Sequence, residues 1–146
     1  MSRSIRLVCS AAVLGLAACA SPDVRLYDGA VRPAAQIAVV TMPEQLEVAS
    51  INGVEVVAAQ GMWNKGDKRL ELLPGRYQML VFYRESWDSG SDQDVLRSDP
   101  ALFTIDAQAA HQYRIDYERP SRYDDARKLS RDFKAWWVDR ASGVKT

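Results

Sequence analysis

From Gln36 onward the sequence is divided into short apolar runs by turn signals about ten residues apart, the spacing of an all-β sandwich or barrel. "QIAVVTMP" reads as a first strand stopped by Pro43. "LEVASINGVEVV" has two apolar-rich arms around Asn52-Gly53. That dipeptide is the strongest short hairpin signal, because both residues accept positive φ. "RLELLPGRYQMLVFYRES" reads as a second pair turning at Pro74-Gly75, and its Tyr77 to Arg84 stretch is apolar on both faces, as in a central strand. In "HQYRIDYE", His111, Tyr113, Ile115 and Tyr117 alternate with polar residues, which is the pattern of a half-buried strand.

The period changes after Pro120. In "SRYDDARKLSRDFK", Ser121 is the expected N-cap and Asp124 follows three residues on. Asp124 and Asp125 near the start, with Arg131 and Lys134 near the end, suit the helix dipole. Tyr123, Ala126, Leu129 and Phe133 fall on one helical face, which should pack on the sheet. "AWWVDRASG" closes the chain as a short strand and turn, with one of Trp136 and Trp137 facing inward. The expected class is mainly β: an antiparallel sandwich-like domain of about six to eight short strands with one C-terminal helix.

The N-terminal end speaks to location. Arg3 and Arg6 precede a short apolar stretch, Leu7 to Leu16, which is the layout of a secretory signal and too short to span a bilayer. "LAAC", Leu16 to Cys19, then resembles the lipobox of bacterial lipoproteins. That resemblance implies cleavage before Cys19 and lipid on its thiol. An ordinary signal with a chance cysteine is the alternative. The division expected is a lipoprotein signal at 1–18, a lipidated flexible tether at 19–35 and a single β-rich domain at 36–146. Ala20 after the cysteine favours the outer membrane by resemblance to the enterobacterial sorting pattern, and the expected location is a lipid anchor on its periplasmic face, although the sequence itself does not fix the side. With the signal gone, 17 basic residues stand against 19 acidic ones, a net charge of about −2, which gives no hint of nucleic acid.

Chemistry is thin. His111 is the only histidine and Cys19 would be consumed by lipid, so neither a Cys/His nucleophile nor the commoner zinc sites can be assembled. Gly61 and Gly66 lack the Lys-Ser/Thr ending of a phosphate loop. Asp88, Asp92 and Asp94 sit in "ESWDSGSDQD", whose spacing does not match a twelve-residue calcium loop. A solvated acidic hairpin is the simpler reading. No catalytic residue, metal site or cofactor is nominated beyond the covalent lipid on Cys19. Trp63 and Trp87 fall in predicted loops, where aromatics can stack on sugars or anchor a partner.

"LELLPGRYQMLVFYRE", "VLRSDPALFTID" and "YRIDYERP" together resemble the YccT-like family of small secreted proteins, which includes a curli synthesis inhibitor. The resemblance implies a β-rich fold and a non-enzymatic role, restraint of extracellular curli-like amyloid fibre assembly, for which a free sheet edge that caps a growing cross-β stack offers a physical route. The leading expectation is an outer-membrane lipoprotein that binds an envelope protein. The other is a glycan- or peptidoglycan-binding module using Trp63 and Trp87.

Overall fold

The computed structural model describes residues 23–57 and 65–146. In chain order the strands are β1 (Asp23–Arg25), β2 (Ala38–Met42), β3 (Leu46–Ile51), β4 (Val54–Glu55), β5 (Lys68–Leu72), β6 (Gly75–Asp88), β7 (Gln93–Arg97), β8 (Ala101–Ala107) and β9 (Gln112–Tyr117). Helix α1 (Tyr123–Arg131) and β10 (Ala135–Asp139) follow. The domain is mainly β and sandwich-like, as expected, with two of its strands only two or three residues long.

One sheet has the order β1-β5-β2-β9-β10; the other has β4-β3-β6-β7, with β8 also paired to β6. Two pairings, β1 with β5 and β2 with β9, are parallel, so the first sheet is mixed rather than purely antiparallel. Inward residues of both sheets meet in one core: Val40, Leu70 and Ile115 from the first, Val48, Val81 and Ile105 from the second, all inaccessible to solvent. Each such side chain contributes about 1.5–3 kcal/mol by leaving water. Period-two alternation therefore decides the fold, because a one-residue slip would turn every one of these outward.

The Asn52-Gly53 turn is a true hairpin, with φ of 50° and 78° at the two central residues and Ile51 opposite Val54. The Pro74-Gly75 turn is not. β5 and β6 belong to different sheets, and the chain crosses between them at Leu73-Pro74, where the Tyr77 hydroxyl donates to the Leu73 carbonyl at 2.9 Å. β2–β3 and β8–β9 switch sheets in the same way, so these connections are corners of the sandwich. A tight Pro-Gly turn serves either purpose; only burial of both Leu72 and Met79 in one core separates the two.

β6 is the central strand expected, and longer than expected. β3 lies along one side, while β8 and then β7 lie along the other. Where β7 ends and β8 has not begun, the Tyr83 backbone would be orphaned. Ser98 takes both groups: its Oγ accepts the Tyr83 N–H at 2.9 Å and its own N–H donates to the Tyr83 carbonyl at 3.0 Å. The "RSDP" motif is thus a splice between two strands, and Arg97 lies 4.3 Å over the Phe82 ring beside it.

α1 packs against β6 and β7 with Ala126 buried and Leu129 against the core; it ends at Arg131, before the expected Phe133 and Lys134, and Phe133 packs on the core from the connection to β10. Its N-cap is Arg122, in extended conformation and without a side-chain cap, rather than Ser121; the Arg122 carbonyl accepts the first helical N–H groups, from Asp125 and Ala126. Within 19–35, the span expected as a flexible tether, residues 19–22 lie outside the described residues and the rest is partly ordered. Asp23–Arg25 forms β1, Val24 packs on the core, and the Tyr27 hydroxyl donates to Glu71 at 3.3 Å.

Candidate functional site

Of the residues the sequence nominates, Cys19 and Trp63 lie outside the described residues. Trp87 is not on a loop. It sits on β6, half-buried, with its Nε1–H directed to the Tyr83 hydroxyl at 2.8 Å and the Glu85 carboxylate at 3.0 Å. Tyr83 in turn donates to Glu85 at 2.7 Å, and burial followed by that bond pushes its hydroxyl far above the ordinary value. The indole N–H of Trp87 is thus held by side chains of its own strand, Tyr83 and Glu85, and its ring is partly exposed.

The acidic hairpin is also occupied with itself. Asp88 accepts the Gly90 N–H at 2.8 Å, the Asp92 carbonyl accepts Ser89, and Asp94 accepts the Tyr123 hydroxyl of α1. Among the described residues no three His, Cys, Asp or Glu side chains are grouped to hold a metal.

His111 is half-buried, and its Nδ1 lies 3.0 Å from Asp139 Oδ2. Asp139 also accepts the Ala141 N–H and the Ser142 hydroxyl. Burial works to raise the Asp139 carboxyl, but these bonds outweigh it and hold the group below its ordinary value. The carboxylate stands between hydroxyl and imidazole, so the imidazole cannot relay a proton from serine as a nucleophile–base pair requires. The cluster fixes the turn after β10.

Two surface features remain, one on each side of the molecule. On the second sheet, alternation places Leu80, Leu102 and Val95 on the outer face; Leu80 pairs with Leu102, and Leu102 and Val95 are 60% and 53% exposed. Beside them β8 pairs only with β6 among the described residues. The Tyr113 hydroxyl accepts the Gln108 N–H at 3.0 Å and donates to the Asp106 carbonyl at 3.1 Å. The Asp106 carbonyl therefore faces away from β6, and the alternation of an antiparallel ladder turns the N–H and C=O groups of Thr104 and Leu102 the same way. That edge contains no proline and one charge, Asp106, so it lacks most of the devices that normally protect an edge strand.

On the same outer face, Glu47 is 1% exposed and takes two bonds from Arg84 on one oxygen, at 2.7 and 2.9 Å, while Oε2 has no partner. Nearby Lys68 points inward and donates to the Glu44 and Leu46 carbonyls at 2.8 and 2.7 Å, and burial lowers its pKa. This pair of buried charges locks the β2–β3 corner to β5 and β6.

The second feature is an open cleft of about 580 Å³ between the β9–α1 connection, α1 and β10, lined by Arg119, Lys128, Lys134, Asp125, Asp132 and Trp136 among others. The tryptophan that reaches a cleft is thus Trp136, which the sequence marked only as half of an inward–outward pair. Its partner Trp137 is the inward one, edge-on to Tyr113 with ring centroids 5.7 Å apart.

Fold and surface together define a two-sheet β domain closed at one end by a C-terminal helix. The chain belongs to the family described as "Uncharacterized protein conserved in bacteria (DUF2057)", whose model matches residues 39–146. No curated protein and no solved structure matches it.

Proposed function

We propose that this chain is a non-enzymatic lipoprotein of the cell envelope, anchored through Cys19 at the outer membrane, that binds an extended segment of a partner protein along the free edge of β8. The observation that carries this reading is the outward-facing backbone of Leu102 and Thr104 beside the exposed Leu102 and Val95 side chains. A strand added there gains main-chain hydrogen bonds from the edge and apolar contact from the face, the two parts of strand-addition recognition. The resemblance to YccT-like proteins supports a specific partner class. A subunit of a curli-like amyloid fibre presents such strands, and occupying its growing end restrains assembly.

The test is a cross-linked pull-down from intact envelopes with three forms of the chain. The parent should retain a discrete protein partner. Thr104→Pro, which removes one outward N–H, should lose it while remaining folded and anchored. Cys19→Ala should lose it by leaving the membrane. Retention of the same partner by Thr104→Pro overturns the edge reading.

A further inference from the structure

Strand register shows which end of the sandwich holds the cleft. Asp23 of β1 lies opposite Arg69 near the start of β5, and the start of β5 lies opposite Met42 at the end of β2. β9 runs parallel to β2 and continues past it, so Tyr117, its neighbour Ala135 and the cleft beyond them share that end. The far end carries Leu72, Ala38 and the close of β8. Cys19 precedes Asp23 by four residues, and four extended residues reach at most about 14 Å. An anchor on Cys19 therefore holds the cleft end against the bilayer, and β8 runs away from that end toward Ala107.

The cleft has the chemistry for a zwitterion. Arg119, Lys128 and Lys134 supply cations; Asp125 and Asp132, with Glu118, supply carboxylates. Lys134 is 2.8 Å from Asp132 in an exposed pair, and Lys128 and Arg122 reach the half-buried Asp125 at 3.6 and 3.4 Å through exposed side chains, so these contacts cost little to rearrange. The Arg119 guanidinium makes no hydrogen bond or ion pair with the described residues, which leaves its planar fork open to a phosphate. Trp136 has Lys145 3.9 Å over its ring, an aromatic of the kind that settles at membrane interfaces. A purely anionic headgroup would meet three carboxylates.

We propose that this cleft binds the phosphoethanolamine headgroup of lipids in the leaflet that holds the anchor, with Arg119 on the phosphate and Asp125 and Asp132 on the ammonium. The proposal rests on the anchoring reading for its orientation, and it gives the domain a fixed seat on the membrane with β8 directed away from it.

The experiment uses the full mature chain with Cys19→Ala, so that no lipid anchor contributes. It is sedimented with vesicles of phosphatidylcholine alone, with phosphatidylethanolamine added, or with phosphatidylglycerol added. Vesicles containing phosphatidylethanolamine should retain about tenfold more protein than phosphatidylcholine alone, the effect of one or two charge-assisted bonds. Arg119→Ala, an exposed change that leaves circular dichroism unaltered, should remove that excess, and soluble phosphoethanolamine should compete for it. Equal retention with and without phosphatidylethanolamine, or stronger retention by phosphatidylglycerol, overturns the proposal. The mass of Cys19 in the native chain reports on anchoring separately, so failure of either idea is recognised independently of the other.

Discussion

The two sheets share a core but finish their outer faces differently. On the first, Arg69 sits between Asp23 and Glu71, and Arg114 between Asp67 and Asp116, so charges of opposite sign cross β1, β5 and β9. Its long edge is also closed, because Trp137 exchanges hydrogen bonds with Thr146 and Asp139 donates to Val144. On the second sheet the outer face sets the apolar Leu80, Leu102 and Val95 beside a single buried ion pair, Glu47–Arg84, and among the described residues β8 pairs only with β6. The contrast teaches where association is prevented and where it is allowed: ion pairs and a paired edge resist a foreign strand, and an apolar face with outward backbone groups invites one.

The largest expected effect comes from breaking that contrast at its open edge. Thr104→Pro should abolish partner capture, while its urea midpoint stays close to the parent's, since the lost N–H does not face β6. Next in size is Arg84→Met, which strands the buried Glu47 carboxylate and should cost about 3 kcal/mol in denaturant unfolding. Adding Glu47→Leu should restore most of that loss, because the penalty belongs to the uncompensated charge. If the double variant is no better than the single one, the pair is not what holds the corner.

A smaller effect is expected in the pH dependence of stability. Asp139 has a native value below the ordinary 3.8, so it holds its proton less tightly folded than unfolded. Its contribution is complete above the ordinary value and disappears as pH falls through the native one. The urea midpoint of the parent should therefore drop more steeply below about pH 4 than that of Asp139→Asn, which cannot titrate there. Equal slopes would remove Asp139 from the account of the C-terminal turn. Smallest is Arg114→Met on the closed face, which should cost about 1 kcal/mol or less, because Asp67 and Asp116 are partly solvated and relax into water. A loss as large as that of Arg84→Met would erase the distinction between the two faces.

Much of this architecture is legible in the sequence. Tyr113, Ile115 and Tyr117 alternate cleanly because the first sheet is wet on its outer face, and Asn52-Gly53 marks its hairpin through φ alone. The continuous apolar stretch of β6 reflects neighbours on both sides, with Phe82 buried on the outer face beneath Arg97. What the sequence hides is set by contacts distant along the chain. Pro74-Gly75 has the same local chemistry in a hairpin and in a corner. β1 is three residues with Asp23 and Arg25 facing out, too short to show a period, and it is a strand only because β5 lies beside it. Trp87 reads as a loop residue because acidic turn residues follow it, whereas β6 runs on through Asp88 and Tyr83, four residues earlier on the strand, accepts its indole N–H. The β8 edge leaves no local signature at all; it exists because no described strand completes the sheet beyond it.

The most direct measurement is backbone amide hydrogen exchange on the folded chain, with and without a soluble subunit of a curli-like fibre. The account predicts slowed exchange at Leu102 and Thr104 on addition of the subunit, with Trp137 and Asp139 on the closed edge unchanged. Unaltered exchange along β8, or protection gained on the first sheet instead, would contradict it.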